Sequence, residues 1–575
     1  MNLKRQNFDL KDLIISILFF ITFLMPLNFS IQSNHQNEEN IIWKDDFESG
    51  DISGWEIIDD ITNDHSNWYI EKGYLIQDTD IGSKGKLIGT NIMNGNSEWG
   101  DYIIRTNIVC TDDDFIGILF RYNDNDNYYR LILSSQRKEI RIDKKLKGEF
   151  YNLAMVSEEW EYVKFSVTIF LKSENIKIYL NEKQYFDISD NQLLNGKIGF
   201  TSISNLGSFF DDITIYSNYQ IKLEEIKHKF IRGPYLQSVL GNRAVIMWDT
   251  SLPSSSVVEY GLTIGTEYST VSDELVTKHE VKLEDLKPET VYFYRIKSNG
   301  LTSDWYSFKT AVNENTRFSF IAYGDNQMNF LRHSEITSQF SKHDFDFIIN
   351  CGDVVQYGPR SDWDVEFFEP LENILTSKAI YSAIGNHEQN SENYYKNFSN
   401  PDLEHENYYS FKYGNCLFIF IDNPRVAYPH KAYYTDCTIG SPQYKWLESK
   451  LSSNEAQHAE WLFVVSHIPS YSAGSKDYFL ANKEYLVPLF EKYNVDISFS
   501  GHVHGYERGF VNGVNYIITA GGGGAQNKKN LSKLKQVASF KLVYNFCQID
   551  IKENSLFVKV YNNKNELIDE LKIVH

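Results

Sequence analysis

Phe318-Ser319-Phe320-Ile321-Ala322-Tyr323-Gly324-Asp325 is a short apolar run that ends on a glycine and an acid. The same grammar returns at Phe345–Asn350 before Gly352-Asp353 and at Ala379–Ile384 before Gly385-Asn386-His387. It recurs at Trp461–Ser466 before His467, and at Val495–Ser500 before Gly501-His502-Val503-His504. Runs of this length with apolar residues at successive positions read as strands buried on both faces. Asp325 and Asp353 lie 28 positions apart, about the length of a strand, helix, strand unit whose strands are parallel. Between the runs, Leu331–Lys342, Pro442–Leu451 and Lys483–Tyr493 have helical character, and Ser441 and Pro442 suit a helix start. From Asn315 onward the chain is therefore α/β. Phe540–Tyr544, Phe546–Ile551, Leu556–Tyr561 and Leu567–Ile573 return to strands and are expected to complete a second sheet facing the first.

In open α/β sheets, side chains at the carboxyl ends of strands converge on one crevice, and a preceding glycine lets the backbone turn sharply there. The residues so gathered are Asp325, Asp353, Asn386, His387, His467, His502 and His504. They offer hard oxygens and imidazole nitrogens, a set that suits a pair of divalent or trivalent ions. His502 and His504 would share a side in extended backbone and so serve adjacent ions. A lone histidine is usually a packed or surface residue, and an Asn-His pair is usually a turn. It is the joint order and strand context that point to a site. His333, His343, His405, His430 and His458 lack that context and are expected to be structural. Gly521–Gly524 lacks the Lys-Ser/Thr of a P-loop and reads as a loop allowing close backbone approach, with Tyr506 and Arg508 at its rim.

With 575 residues there is room for about four domains. From Asp45-Asp46-Phe47 to about Tyr219, alternating runs such as Tyr102–Val109, Tyr162–Phe170 and Ile176–Leu180 are parted by turn-rich stretches, with no helix. An all-β sandwich follows, and residues 44–219 resemble the concanavalin A/LamG-like jelly rolls attached to many secreted hydrolases. That resemblance implies extracellular glycans as partners, or a spacer role. Asp45, Asp46, Asp211 and Asp212 are candidates for a structural calcium site. Residues 229–313 form a second β unit, in which Leu286–Tyr292 is similar to the tyrosine corner of fibronectin type III domains. The formal charge of -21 excludes a nucleic-acid-binding surface as the organising feature.

Residues 1–30 place Lys4 and Arg5 before an apolar run, Leu13–Met25, followed by a polar linker at 31–43. The run is shorter than the roughly 20 residues a membrane span needs. It reads as an export signal, with an uncleaved membrane anchor as the alternative, and places the protein outside the cytoplasm. Five scattered cysteines make no disulfide framework, and Cys416 with Cys437 is the one pair to test as a bridge.

Gly501-His502-Val503-His504-Gly505-Tyr506-Glu507-Arg508, Gly385-Asn386-His387-Glu388 and Val464-Val465-Ser466-His467 resemble the motifs of the calcineurin-like metallophosphoesterases, and within them the purple acid phosphatase branch. The resemblance runs from about Ile231 to the C-terminus, with the fibronectin-like unit as that branch's N-terminal domain and residues 315–575 as the catalytic domain of two facing mixed sheets flanked by helices. It implies two metal ions (Fe, Zn or Mn) and an exported enzyme that hydrolyses phosphomonoesters of small molecules, acid phosphatase-like, by attack of a metal-bound hydroxide. Asp325 and His504 would hold the first ion, and Asn386, His467 and His502 the second. Asp353 would bridge them, and His387 would assist the leaving group. No substrate-binding residue is implied. Two positions depart from the pattern. Simple members of the family place His where Gln327 stands, and the purple branch places Tyr where Gln356 stands, with Tyr357 one residue late. These departures predict weaker binding of the first ion and no purple colour, unless Tyr357 reaches that ion through a shifted loop. The alternatives are a nucleotidase or phosphodiesterase of the same superfamily, or a glycan-binding adhesion protein whose phosphatase domain is degraded.

Overall fold

The computed structural model describes residues 30–31, 41–61, 65–158, 163–217, 223–224, 228–265, 267–314, 316–359, 363–401, 405–473, 480–526, 537–552 and 554–575. The proposed signal or anchor segment and most of the linker lie outside these. Among the described residues no helix is long and apolar enough to cross a membrane.

The N-terminal unit is the expected sandwich of two antiparallel sheets, one of seven strands and one of eight. Period-two burial makes it so. In the strand Asn175–Leu180, Ile176, Ile178 and Leu180 are buried while Asn175 and Lys177 face outward. The inward residues of both sheets meet in one apolar core that includes Ile104, Ile118, Val167, Phe200 and Phe210. Of the four acids proposed for calcium, Asp45 stands opposite Ile213 and so beside Asp212, in the pairing of Ile41–Asp45 with Ser208–Tyr216. Asp45 accepts from Trp55 Nε1 and from the Phe47 amide, each at 2.9 Å, and Asp46 pairs with Lys44 at 3.0 Å. The Asp45 and Asp46 carboxylates thereby serve a turn and a strand edge.

The second β unit is built around the long strand Ala244–Gly261. Its first half pairs with Phe230–Gln237, its last residues pair with Val291–Ser298, and both parts pair with Tyr268–Leu283, the register with that strand shifting between Asp249 and Ser254, where Pro253 cannot donate to a ladder. Tyr292 closes the expected corner: its hydroxyl accepts from the Lys287 amide at 3.0 Å.

The C-terminal unit consists of two facing mixed sheets. In the first, Ala379–Ser382, Phe347–Asn350 and Phe318–Tyr323 run parallel, followed by antiparallel Asn545–Lys552, Ser555–Asn562 and Leu567–Val574. In the second, Cys416–Phe420, Trp461–Val465, Ile497–Ser500 and Val514–Ala520 are parallel neighbours, with Tyr409–Tyr413 at one side and Gly505–Val511 and Val537–Lys541 at the other. Phe320 of the first sheet meets Phe418 and Phe463 of the second, at ring separations of 5.2 and 5.7 Å. The outward side chains Ile321, Tyr323 and Ile348 pack against Ile336 and Phe340 of the helix Phe330–Phe340, and Ile419 and Val464 pack against Leu447 and Leu451 of the helix Pro442–Leu451. Both faces of the central strands are buried, which is why their sequences are continuously apolar.

Three expectations are corrected here. The last three strands extend the first sheet, because Asn545–Lys552 pairs antiparallel with Phe318–Tyr323, and only Val537–Lys541 joins the second. Hydropathy identifies a strand but not its neighbour. The helix expected over Lys483–Tyr493 is two, Leu480–Tyr485 and Val487–Lys492, with Pro488 in the first turn of the second, where its missing N–H costs least. Cys416 and Cys437 are both buried as free thiols and form no bridge.

Candidate metal centre

The Phe318–Tyr323 and Phe347–Asn350 strands end level with each other, Tyr323 opposite Asn350, so the acids just beyond them emerge side by side. The Asp325 amide donates to Gly352 O at 3.0 Å and the Asn326 amide to Asp353 O at 3.1 Å, tying the two loops together. Asp325 and Asp353 both sit at φ 55°, a left-handed conformation that costs about 1 kcal/mol or more outside glycine and persists where surroundings enforce it. Those surroundings leave no slack: a Cβ on Gly385 would lie 2.2 Å from Asp353 Oδ1, and one on Gly501 2.3 Å from Asp325 Oδ2.

Around Asp353 the donor atoms form a chain of equal steps. Asp353 Oδ2 is 3.0 Å from His467 Nε2, which is 3.0 Å from Asn386 Oδ1, which is 3.0 Å from His502 Nδ1. Donors bound at about 2.1 Å to one ion stand about 3.0–3.4 Å from each other, so this spacing is that of a common ligand shell. His467 Nδ1 lies 2.9 Å from Cys351 O, which fixes that nitrogen as the N–H and leaves Nε2 free to bind. His504 Nε2 lies 3.5 Å from Asp325 Oδ1, and its Nδ1 contacts Ala525 O at 2.6 Å. His502 is at φ 69°, in a bend. The two histidines are therefore not disposed by extended backbone, as the sequence suggested, but by a turn that sends one ring toward Asn386 and the other toward Asp325. Gly524 and Gly522 pack directly on the His504 ring and on Asn326, as expected of a close-approach loop.

The electrostatics fit a cation site. Burial pushes the Asp325 carboxyl well above the usual range, reinforced by Asp353. Burial also opposes ionisation of Asp353, but His467 and His387 overcome it and hold that carboxyl well below the usual range. His387 stands at the rim, its side chain 32% exposed. Its backbone amide donates to Asp353 Oδ1 at 2.9 Å, its Nδ1 contacts Gln356 O at 2.7 Å, and its Nε2 lies 3.9 Å from Asp353 Oδ2. His333, by contrast, is fully buried between Tyr323 Oη and Glu366 O, and burial lowers it to about 3. It is structural, as expected. Tyr506 and Arg508 both hold Asp569.

Two acids carry a role that the sequence did not disclose. Glu388 is fully buried, its Oε2 accepting from Gly385 and Asp353 amides at 2.5 and 3.0 Å and its Oε1 from Val354 and Val355 amides at 2.8 and 3.3 Å. Burial and Asp353 push its carboxyl upward, yet two N–H groups on each oxygen leave no place for a proton, so the anion clamps the two ligand loops together. Glu366 does the same from the outer side, accepting from the Met328 and Gln356 amides. The acid following Asn386-His387 was visible in the motif. Nothing local marked Glu366, which reaches the site from the π-helical turn Asp364–Phe368. Replacing Glu388 with Gln turns an NH₂ toward two buried N–H donors. We expect a loss of about 3–5 kcal/mol in denaturant unfolding; a loss under about 1 kcal/mol would mean that the clamp is not structural.

Residues 318–506 match the family model of the calcineurin-like phosphoesterases, and residues 235–310 that of the purple acid phosphatase N-terminal domain. The chain carries a calcineurin-like phosphoesterase domain. Purple acid phosphatase 21 of Arabidopsis thaliana is 31% identical over 40% of this chain and 53% of its own length, and acid phosphatase type 7 of Danio rerio is 26% identical over 46% and 68%. This chain thus spans about half the length of the first of these. A purple acid phosphatase from yellow lupin seeds, 15% identical, superposes with a TM-score of 0.54 over 89% of this chain and 94% of that one, which establishes a shared fold. In the phosphoesterase domain, the six candidate ligands and His387 lie just beyond the ends of the parallel strands.

Proposed function

We propose that this protein is an exported, metal-dependent phosphatase that hydrolyses phosphomonoesters of small molecules. The observation that carries the reading is the position of Asp353, whose Oδ2 lies 3.0 Å from His467 Nε2 beside Asn386 and His502, and 3.5 Å from Gln327 Nε2, which in turn lies 3.4 Å from His504 Nε2 beside Asp325. An intact shared ligand speaks against a degraded scaffold. Two ions held there would supply Lewis acidity and lower the pKa of coordinated water. The chain's own residues do the rest. Cys351 O and Ala525 O fix the tautomers of His467 and His504. Glu388 and Glu366 hold the ligand loops. His387, with Nδ1 committed to Gln356 O, has Nε2 at the crevice mouth to bond a phosphate oxygen or protonate a departing alkoxide. Export rests on the Leu13–Met25 segment, and glycan binding on the N-terminal sandwich.

The test is a panel of aryl and alkyl phosphomonoesters, phosphodiesters and nucleotides, offered to the full chain after chelation and after resupply of Mn, Zn or Fe. Activity is expected to vanish with the metals, return with them, and favour monoesters. Turnover that survives chelation, or a preference for diesters, would overturn the corresponding part of the proposal.

A further inference from the structure

Gln327 occupies an unusual position for a neutral amide. It is 1% exposed, its Oε1 is buried without a hydrogen-bond partner, and its Nε2 lies 3.4 Å from His504 Nε2 and 3.5 Å from Asp353 Oδ2. Both contacts are at the long limit for hydrogen bonds. An orphaned buried carbonyl oxygen carries a penalty of about 1–3 kcal/mol, so a residue kept in this state needs a reason. The reason lies in what its other end faces. His504 Nδ1 is engaged with Ala525 O, so Nε2 presents a lone pair. Asp353 Oδ2 presents another, and Asp325 Oδ1 stands 3.5 Å from His504 Nε2. Two lone-pair donors therefore face the amide end of Gln327, and a third, Asp325 Oδ1, adjoins one of them, at separations close to the 3.0–3.4 Å, roughly, that donors to a common ion show.

We propose that Gln327 is a ligand of the first ion through Oε1, an inference that rests on the two-ion reading above. A half-turn of the terminal amide exchanges Oε1 and Nε2 with little change in shape. With Nε2 inward, the side chain donates to His504 and Asp353. With Oε1 inward, it completes a set of Asp325, Asp353, His504 and Gln327. A primary amide binds a cation through oxygen, because its nitrogen lone pair is delocalised into the carbonyl. Gln356, whose Oε1 is also buried and unpaired, is the weaker candidate. Its backbone oxygen holds His387 and its amide N–H is taken by Glu366, which fixes its place by the backbone, and no contact joins its side chain to a ligand atom. The consequence is a first site with two carboxylates, one imidazole and one neutral oxygen. Such a set favours harder ions such as manganese over softer ones, and it carries no phenolate to colour the protein.

Metal stoichiometry and affinity of the full chain decide this, measured by elemental analysis and manganese titration calorimetry on wild type, Gln327→Met, which keeps the volume without the oxygen, and Gln327→Glu, which keeps the oxygen. Wild type and Gln327→Glu are expected to hold about two equivalents. Gln327→Met is expected to hold about one, with the weaker binding step lowered at least about tenfold and an unchanged circular dichroism spectrum. Two equivalents at wild-type affinity in Gln327→Met overturn the proposal and leave the two-ion reading standing. If Gln327→Met fails to fold, a single equivalent in Gln327→Glu overturns it equally. No metal in wild type overturns the two-ion reading itself.

Discussion

Asp353→Asn is expected to lower kcat/KM for an aryl phosphate by at least about a thousandfold, a loss of roughly 4 kcal/mol of transition-state stabilisation, and to reduce bound metal from about two equivalents to at most one. The size follows from sharing. His467 and Gln327 both approach Asp353 Oδ2, while Oδ1 takes the His387 amide, so one side chain touches a ligand of the second group, the proposed amide ligand of the first and the loop that carries His387. An amide in its place keeps the volume but loses the charge, and its NH₂ faces either a ring nitrogen or an N–H donor. The variant is to be compared with wild type by elemental analysis and by steady-state kinetics at saturating manganese. Two equivalents of metal with a rate within tenfold of wild type would show that Asp353 does not bridge.

The strands and the site were legible for the same reason. A strand buried on both faces must be apolar throughout, so Phe318–Tyr323 or Trp461–Val465 stands out from its surroundings, and a polar residue at its end is conspicuous. The element bounds agree closely: Phe318–Tyr323 and Pro442–Leu451 form over the residues expected. What stayed hidden is non-local. That Asn545–Lys552 pairs with Phe318–Tyr323 depends on more than 200 intervening residues and leaves no mark on its own hydropathy. Glu366 lies in a helical turn rich in aromatic residues, where a lone acid reads as a solvated position, yet it is fully buried on the Met328 and Gln356 amides. The turn at His502 was misread because two histidines spaced by one residue look extended, whereas the left-handed backbone there is imposed by the Asp325 carboxylate receiving the His502 amide at 2.8 and 3.0 Å.

His387→Ala separates metal binding from proton transfer. Its backbone amide, not its ring, holds Asp353 Oδ1, so the substitution leaves that bond in place and metal content should stay at about two equivalents. What is lost is the ring at the crevice mouth, held by Gln356 O through Nδ1 with Nε2 turned 3.9 Å from Asp353 Oδ2. A general acid contributes about a hundredfold to ten-thousandfold where the leaving group needs a proton. Alkyl phosphates release a basic alkoxide, and their kcat should fall by about two to three orders of magnitude. A p-nitrophenyl ester releases a stabilised phenolate and should lose less than about tenfold, the difference between the two being the ring's proton. A role confined to gripping the phosphate would raise KM and lower both rates by one common factor. Equal losses on the two ester classes would therefore remove His387 as the proton donor while leaving it as a binding group, and a fall in metal content would show that the ring itself supports the ligands.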